Sequence, residues 1–240
     1  MFQKKSVKKT LSNVGTRTDK LKVISAKDLG KLNMPDFCPR CFWLERQIGK
    51  PPMIFPGIFS VIDSVTKKGV ARCFEEKGML PQWLPIPNVA EIIEDDIFFK
   101  MPAEYDWILV GKPDDIFRLE DDSYHIVDYK TARFTERQDE LLPIYEVQLN
   151  SYAFLAQEYG WAPVKKLSLV YCEPNGELER EEDFSLKFGT HILEIDLNLD
   201  IVRLMLERAR AILNLSEPPP AHFSCRGICR WLAKFVIKYE

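Results

Sequence analysis

The chain reads as an α/β protein, a mixed central β-sheet flanked by helices. Three observations predict this. Some stretches repeat apolar residues at three- and four-residue steps, the helical period. Others are short apolar runs bounded by polar turns, the mark of strands. The two kinds interleave in the order helix, helix, hairpin, helix, strands, helix, so helices must cover a sheet.

Taken in order, Ser25-Ala26-Lys27-Asp28 has capping-box spacing and opens a short helix. FCPRCFWLER follows, then a proline-broken loop over residues 51–56. From Gly57 to Lys77, Ile58, Phe59, Ile62, Val65, Val70 and Phe74 predict an amphipathic helix that Gly78 stops. Residues 79–90 hold three prolines and read as loop. Residues 106–117 and 124–131 are extended runs joined by the polar turn Glu120-Asp121-Asp122-Ser123, which predicts a β-hairpin. Residues 145–159 read as a helix ending at Gly160, and 166–172 and 184–193 as two strands. A long helix over 196–215 runs toward the triple proline 218–220. There is no internal repeat.

Residues 1–22 are expected to be a basic, flexible arm, either a solvated tail or one that touches phosphate, with Lys4, Lys5, Lys8, Lys9, Arg17, Lys20 and Lys22 against Asp19 alone. Residues 23–240 are expected to form one domain. The arm has no apolar core of a secretory signal, and no apolar run approaches a membrane span, so a cytoplasmic location is expected. The net charge of −3 argues against a protein that coats nucleic acid. It is compatible with an enzyme that has a local basic track and an acidic metal site. Cysteines stand at 38, 41, 73, 172, 225 and 229 and read as thiols or metal ligands rather than disulfides. Walker A, Gly-x-Ser-x-Gly and Gly-x-Gly-x-x-Gly patterns are missing, which removes the nucleotide-hydrolysing, serine-hydrolase and dinucleotide classes.

The segment HIVDYKTAR carries the chemistry. Ile126 and Val127 lead into Asp128, Tyr129 and Lys130, and strand alternation puts Asp128 and Lys130 on one face. Opposed residues of a hairpin have numbers that add to a constant, here about 243 for a turn centred near 121 or 122. Asp114 then lies opposite Asp128 or Tyr129. If it meets Asp128, the two carboxylates lie roughly 5 Å apart at Cβ and repel unless a cation sits between them. Mg²⁺ or Mn²⁺, with oxygen ligands and retained waters, suits that place. Pro113 within the strand implies an edge or bulge, so Asp115 is an alternative to Asp114. The simpler reading is a strand-end ion pair; Glu75-Glu76-Lys77 is another acid-x-Lys triplet, at a helix end.

Gly111-Lys112-Pro113-Asp114 followed by Asp128-Tyr129-Lys130 resembles the PD-(D/E)XK nuclease superfamily. Its RecB-like branch, which includes the exonucleases of CRISPR adaptation, is suggested by three further features. Gln148 and Tyr152 match a Gln-x-x-x-Tyr motif on one helical face. Cys38-Pro39-Arg40-Cys41-Phe42 is similar to the branch's Cys-Pro-Arg-x-Phe segment, and Cys225 and Cys229 close the chain. The resemblance implies a restriction-endonuclease-like core and metal-assisted hydrolysis of DNA phosphodiesters, in exonucleolytic repair, recombination or defence. It implies Asp114, Asp128 and the Tyr129 carbonyl as metal ligands, Lys130 as the catalytic lysine, and Gln148 and Tyr152 as orienting residues. It also implies a helicase, repair or CRISPR partner in a separate chain.

Two departures matter. RecB-like members usually place a metal-binding histidine on the helix before the hairpin. Here that helix has none, and Asp63 either substitutes as a metal ligand or is an exposed helix acid. Iron–sulfur members use one N-terminal and three C-terminal cysteines, whereas this chain offers Cys38 and Cys41 with Cys225 and Cys229. These four hold a 4Fe–4S cluster or Zn²⁺, with His222 spare, or they pack as small hydrophobes. Cys73 and Cys172 read as core, and His125 and His191 as structural. The alternative to an enzyme is the same fold kept for DNA binding or scaffolding without catalysis.

Overall fold

The computed structural model describes residues 22–50, 56–93, 98–134, 140–180, 182–227 and 229. Apart from Lys22, which pairs with Asp106 at 2.7 Å, the basic arm lies outside the described residues.

The central sheet has five strands in the order β2-β5-β6-β7-β8: Val89–Ile92, Asp115–Leu119, Tyr124–Lys130, Val164–Arg180 and Ser185–Ile195. β6 pairs antiparallel with β5 and parallel with β7, so the sheet is mixed, as expected. A second sheet of three strands, β1-β4-β3, joins Val23–Ser25, Trp107–Gly111 and Phe99–Ala103. The helices are α1 (Ala26–Gly30), α2 (Pro39–Gln47), α3 (Gly57–Lys77), α4 (Leu142–Tyr159) and α5 (Asp200–Leu213). None among the described residues is long and apolar enough to cross a membrane.

Several boundaries differ from expectation for physical reasons. The extended run at 106–117 is two strands, β4 and β5, in different sheets. Pro113 has no N–H for a ladder, and the chain changes sheets at Lys112-Pro113-Asp114. Short β1, β2 and β3 lack the clear alternation of longer strands. The capping prediction holds for its first half: Ser25 Oγ accepts from Asp28 N–H at 3.0 Å. The Asp28 carboxylate instead takes Lys31 and Lys50.

The two faces of the central sheet carry separate cores. On one, Ile116, Ile126, Leu167 and Leu169 pack with Leu149, Tyr152 and Ala153 of α4 and Val202 and Leu206 of α5. On the other, Phe117, Val127, Tyr129 and Val170 pack with Val70 of α3 and with Leu84. The apolar pattern of α3 is only partly buried. Val70 is covered and Phe74 packs on the core, while Ile58, Phe59 and Val65 are exposed. Only the C-terminal half of α3 meets the sheet. Cys172 is buried as expected, and Cys73 is half-buried.

Candidate functional site

The site forms where β5, β6, α3 and α4 converge. β5–β6 pairs Asp115 with Val127 and Ile116 with Ile126, the register of a turn centred at 121, one of the two expected. Continued by one residue, that register sets Asp114 opposite Asp128. Asp114 is anchored there by the backbone of the facing strand, since Oδ2 accepts from Tyr129 N–H at 2.8 Å. Asp115 points to the other face and accepts from Tyr129 Oη at 2.6 Å. Burial pushes its carboxyl up to about 7, against the Tyr129 hydrogen bond. The alternative that Asp115 replaces Asp114 facing Asp128 is therefore not what the fold adopts.

Asp128 is 2% exposed. Its Oδ1 accepts from Gln148 Nε2 at 3.2 Å, and that amide nitrogen also lies 2.8 Å from Tyr152 Oη. Its Oδ2 faces the Lys130 ammonium as an ion pair without an aligned hydrogen bond. Burial raises the Asp128 pKa, the Lys130 charge opposes this, and Asp114 adds repulsion. Lys130 Nζ also sits 4.7 Å from the centre of the Tyr145 ring, a cation–π contact. Tyr145, Gln148 and Tyr152 lie at i, i+3 and i+7 on α4, which places them on one face.

Gly111 makes this packing possible. A Cβ there would lie 2.7 Å from the Tyr152 ring, closer than carbon atoms approach. The glycine of Gly111-Lys112-Pro113-Asp114 thus admits the tyrosine that bonds Gln148. Its role was not legible from the sequence.

Asp63 does not join Asp114 and Asp128 in a three-acid cage. Among the described residues, no three acids bring carboxylate oxygens within 4.8 Å of one another. Instead Lys67, one helical turn on, bridges Asp63 Oδ2 at 2.9 Å and Asp114 Oδ1 at 2.6 Å. Burial works against the Lys67 charge, but Asp114 and Asp63 outweigh it and raise its pKa. The i, i+4 step from Asp63 to Lys67 was readable in the sequence; the contact with β5 was not.

These donors suit a divalent cation. They are hard carboxylate oxygens in mutual repulsion, now neutralised by two ammonium groups. The buried Gln148 Oε1, on the side chain that holds Asp128, also has no hydrogen-bond partner among the described residues.

A second cluster forms where α2 meets residues 222–229. The Sγ atoms of Cys38, Cys41, Cys225 and Cys229 all lie within 4.8 Å of one another. Cys41 approaches Cys229 at 3.1 Å and Cys225 at 3.4 Å, and Cys38 approaches Cys229 at 3.7 Å. A Cβ at Gly227 would lie 3.2 Å from Cys41 Sγ, so glycine keeps this approach open. Burial raises the Cys41 thiol, and neighbouring thiols add to it. Four thiolates around one tetrahedral ion at about 2.3 Å would lie roughly 3.8 Å apart, so the set fits a metal. The four cysteines come together in one cluster, as either expectation for them allows, and their mutual spacing suits a shared ion. His222 bonds Ser224 at 2.8 Å through Nδ1, and its backbone N–H donates to Cys38 Sγ. His125 is buried against Ser168, and His191 stacks on Phe134.

Residues 77–233, more than half of the chain, match the PD-(D/E)XK nuclease superfamily. Among solved structures, the chain is similar to a phage-related exonuclease from Haemophilus somnus 129PT, at 11% identity over 79% of this chain and 92% of that one, with a TM-score of 0.46. It is similar to an alkaline exonuclease from Laribacter hongkongensis at 11% identity, over 93% and 97%, with a TM-score of 0.42. A third likeness is to SSO0001, at 17% identity over 85% and 86%, with a TM-score of 0.42. No curated protein matches the chain.

Proposed function

Because the chain belongs to the PD-(D/E)XK nuclease superfamily, we propose that it is a Mg²⁺- or Mn²⁺-dependent DNA nuclease of the RecB-like type, acting as an exonuclease. The observation that carries this is Asp128, buried opposite Asp114 with the Lys130 ammonium against it. Asp114, Asp128 and the Tyr129 carbonyl would hold the cation. When bound, it supplies a water of lowered pKa and charge stabilisation at the phosphate. Lys130 then offers its ammonium to the attacking water or a phosphate oxygen. Gln148 fixes the Asp128 carboxylate, and Tyr152 fixes Gln148. The four cysteines would hold a structural metal. Their close spacing favours a single four-coordinate ion such as Zn²⁺ over a 4Fe–4S cluster.

A second reading, DNA binding without catalysis, draws on the Lys67 bridge, which already sets an ammonium against both Asp63 and Asp114. One assay separates the two. End-labelled single- and double-stranded DNA is incubated with Mg²⁺ or Mn²⁺ and wild type or Lys130→Ala. Cleavage by wild type that falls at least about 100-fold in the variant is expected. Equal cleavage by both refutes the assigned site. No cleavage with either metal, alongside salt-sensitive DNA binding, selects the second reading.

A further inference from the structure

We propose that Lys67 is a built-in counter-ion of the acidic site, which competes with the divalent cation for Asp114 and so sets the cation concentration at which the site fills. The inference rests on the nuclease reading and deepens it. One ammonium touches two carboxylates from two segments, Asp63 on α3 and Asp114 immediately before β5. Asp114 Oδ2 is committed to the Tyr129 N–H, so Oδ1 is the oxygen left to a cation, and Lys67 holds it. An ammonium at 2.6 Å from that oxygen repels a divalent ion placed on it, so each weakens the hold of the other.

The geometry also supplies the way out. Lys67 is half-buried, with its side chain 27% exposed, and Asp63 is more exposed than Asp114. The ammonium can leave Asp114 and stay with Asp63, one helical turn away on the same helix. Asp63 thereby has a role other than ligation: it is the residue on which the displaced lysine rests. Lys130 is different in kind. It pairs with Asp128 and, among the described residues, forms no ion pair with Asp63 or Asp114.

The test is Mn²⁺ titration calorimetry on the full chain, wild type against Lys67→Gln, Lys67→Met and Lys67→Arg. Asp114→Asn identifies the heat that belongs to this site. Loss of the ammonium in Lys67→Gln should tighten Mn²⁺ binding about tenfold, and Lys67→Met should do the same. Lys67→Arg, which keeps the charge, should stay near wild type. Unchanged or weaker Mn²⁺ binding by both neutral variants overturns the role of Lys67. If wild type still cleaves DNA in that case, the nuclease reading stands. Absence of Asp114-dependent Mn²⁺ binding in every variant overturns both.

Discussion

The acidic site and the cysteine cluster meet the same problem, several metal-ligating groups brought together, in opposite ways. The acids are supplied with internal cations, Lys67 for Asp63 and Asp114 and Lys130 for Asp128. They also sit in a framework of strand pairing and helix packing that holds them whether or not a metal arrives. The thiols have less support. Cys41 and Cys225 are 184 residues apart in sequence, and between their segments the hydrogen bonds are few, the His222 N–H to Cys38 Sγ and the Trp43 Nε1–H to the Leu215 carbonyl among them. Thiol–thiol contacts are weak, so the arrangement becomes strong only when thiolates share a metal. On the proposed reading, the acidic site would admit a metal into a frame already held, and the cysteine cluster would draw its strength from one.

The largest effect that could break this contrast is on folding stability. Removing metal from the purified protein with a strong thiol-competing chelator should lower the melting temperature by about 10 °C, the scale of losing a link across a very long loop. Cys41→Ser should start from the lower value and respond no further. A chelator that leaves the melting temperature unchanged would make the two sites alike.

The next effect is on the acidic side, where stability and activity should part. Asp128→Asn removes a carboxylate whose charge burial already disfavours, and keeps its shape. Cleavage of labelled DNA should fall about 100-fold or more, while urea unfolding shifts by no more than about 1 kcal/mol. A loss of several kcal/mol would show that the acid is structural rather than held ready for a cation.

The smallest effect sharpens what internal compensation is worth. On the same strand as Asp128, His125 is buried without a compensating charge; Nε2 lies 2.8 Å from Ser168 Oγ, and Nδ1 has no partner among the described residues. Burial pushes its pKa down to about 4, with Lys166 adding repulsion. The unfolded chain therefore binds more protons between about pH 6.5 and 4, and stability is lost as pH falls through that window. His125→Gln, which keeps a partner for Ser168, should lose about 2 kcal/mol less than wild type between pH 7.5 and 4 in parallel urea titrations. Parallel curves for the two proteins would refute it.

How much of this was legible follows from the range of each interaction. Asp114 and Asp128 could be paired from the sequence because a short polar turn fixes the register over a few residues. The sequence left Asp128 and Tyr129 both open as the partner of Asp114, and the observed register, continued by one residue, selects Asp128. Gln148 and Tyr152 were legible because helical spacing is local. Lys67 was visible as the partner of Asp63 but not of Asp114, since α3 and β5 meet only in the folded chain. The four cysteines could be named, and their meeting could not be decided, because no local rule spans the distance from Cys41 to Cys225. The exposed Ile58 and Val65 show the same limit: a periodic pattern says which face is apolar, not how much of it finds cover.

Gly111 has a last consequence, for how the sequence can vary. It has no side chain and touches no charge, yet the room it leaves sets where the Tyr152 ring can sit. Tyr152 bonds Gln148, and Gln148 bonds Asp128, so a methyl group added at 111 is transmitted to the buried acid in two steps. Substitution at this position is therefore bounded by the size of a residue 41 positions later in the chain. Larger side chains at 111 become tolerable only alongside a smaller ring at 152, and the two positions are expected to change together or not at all.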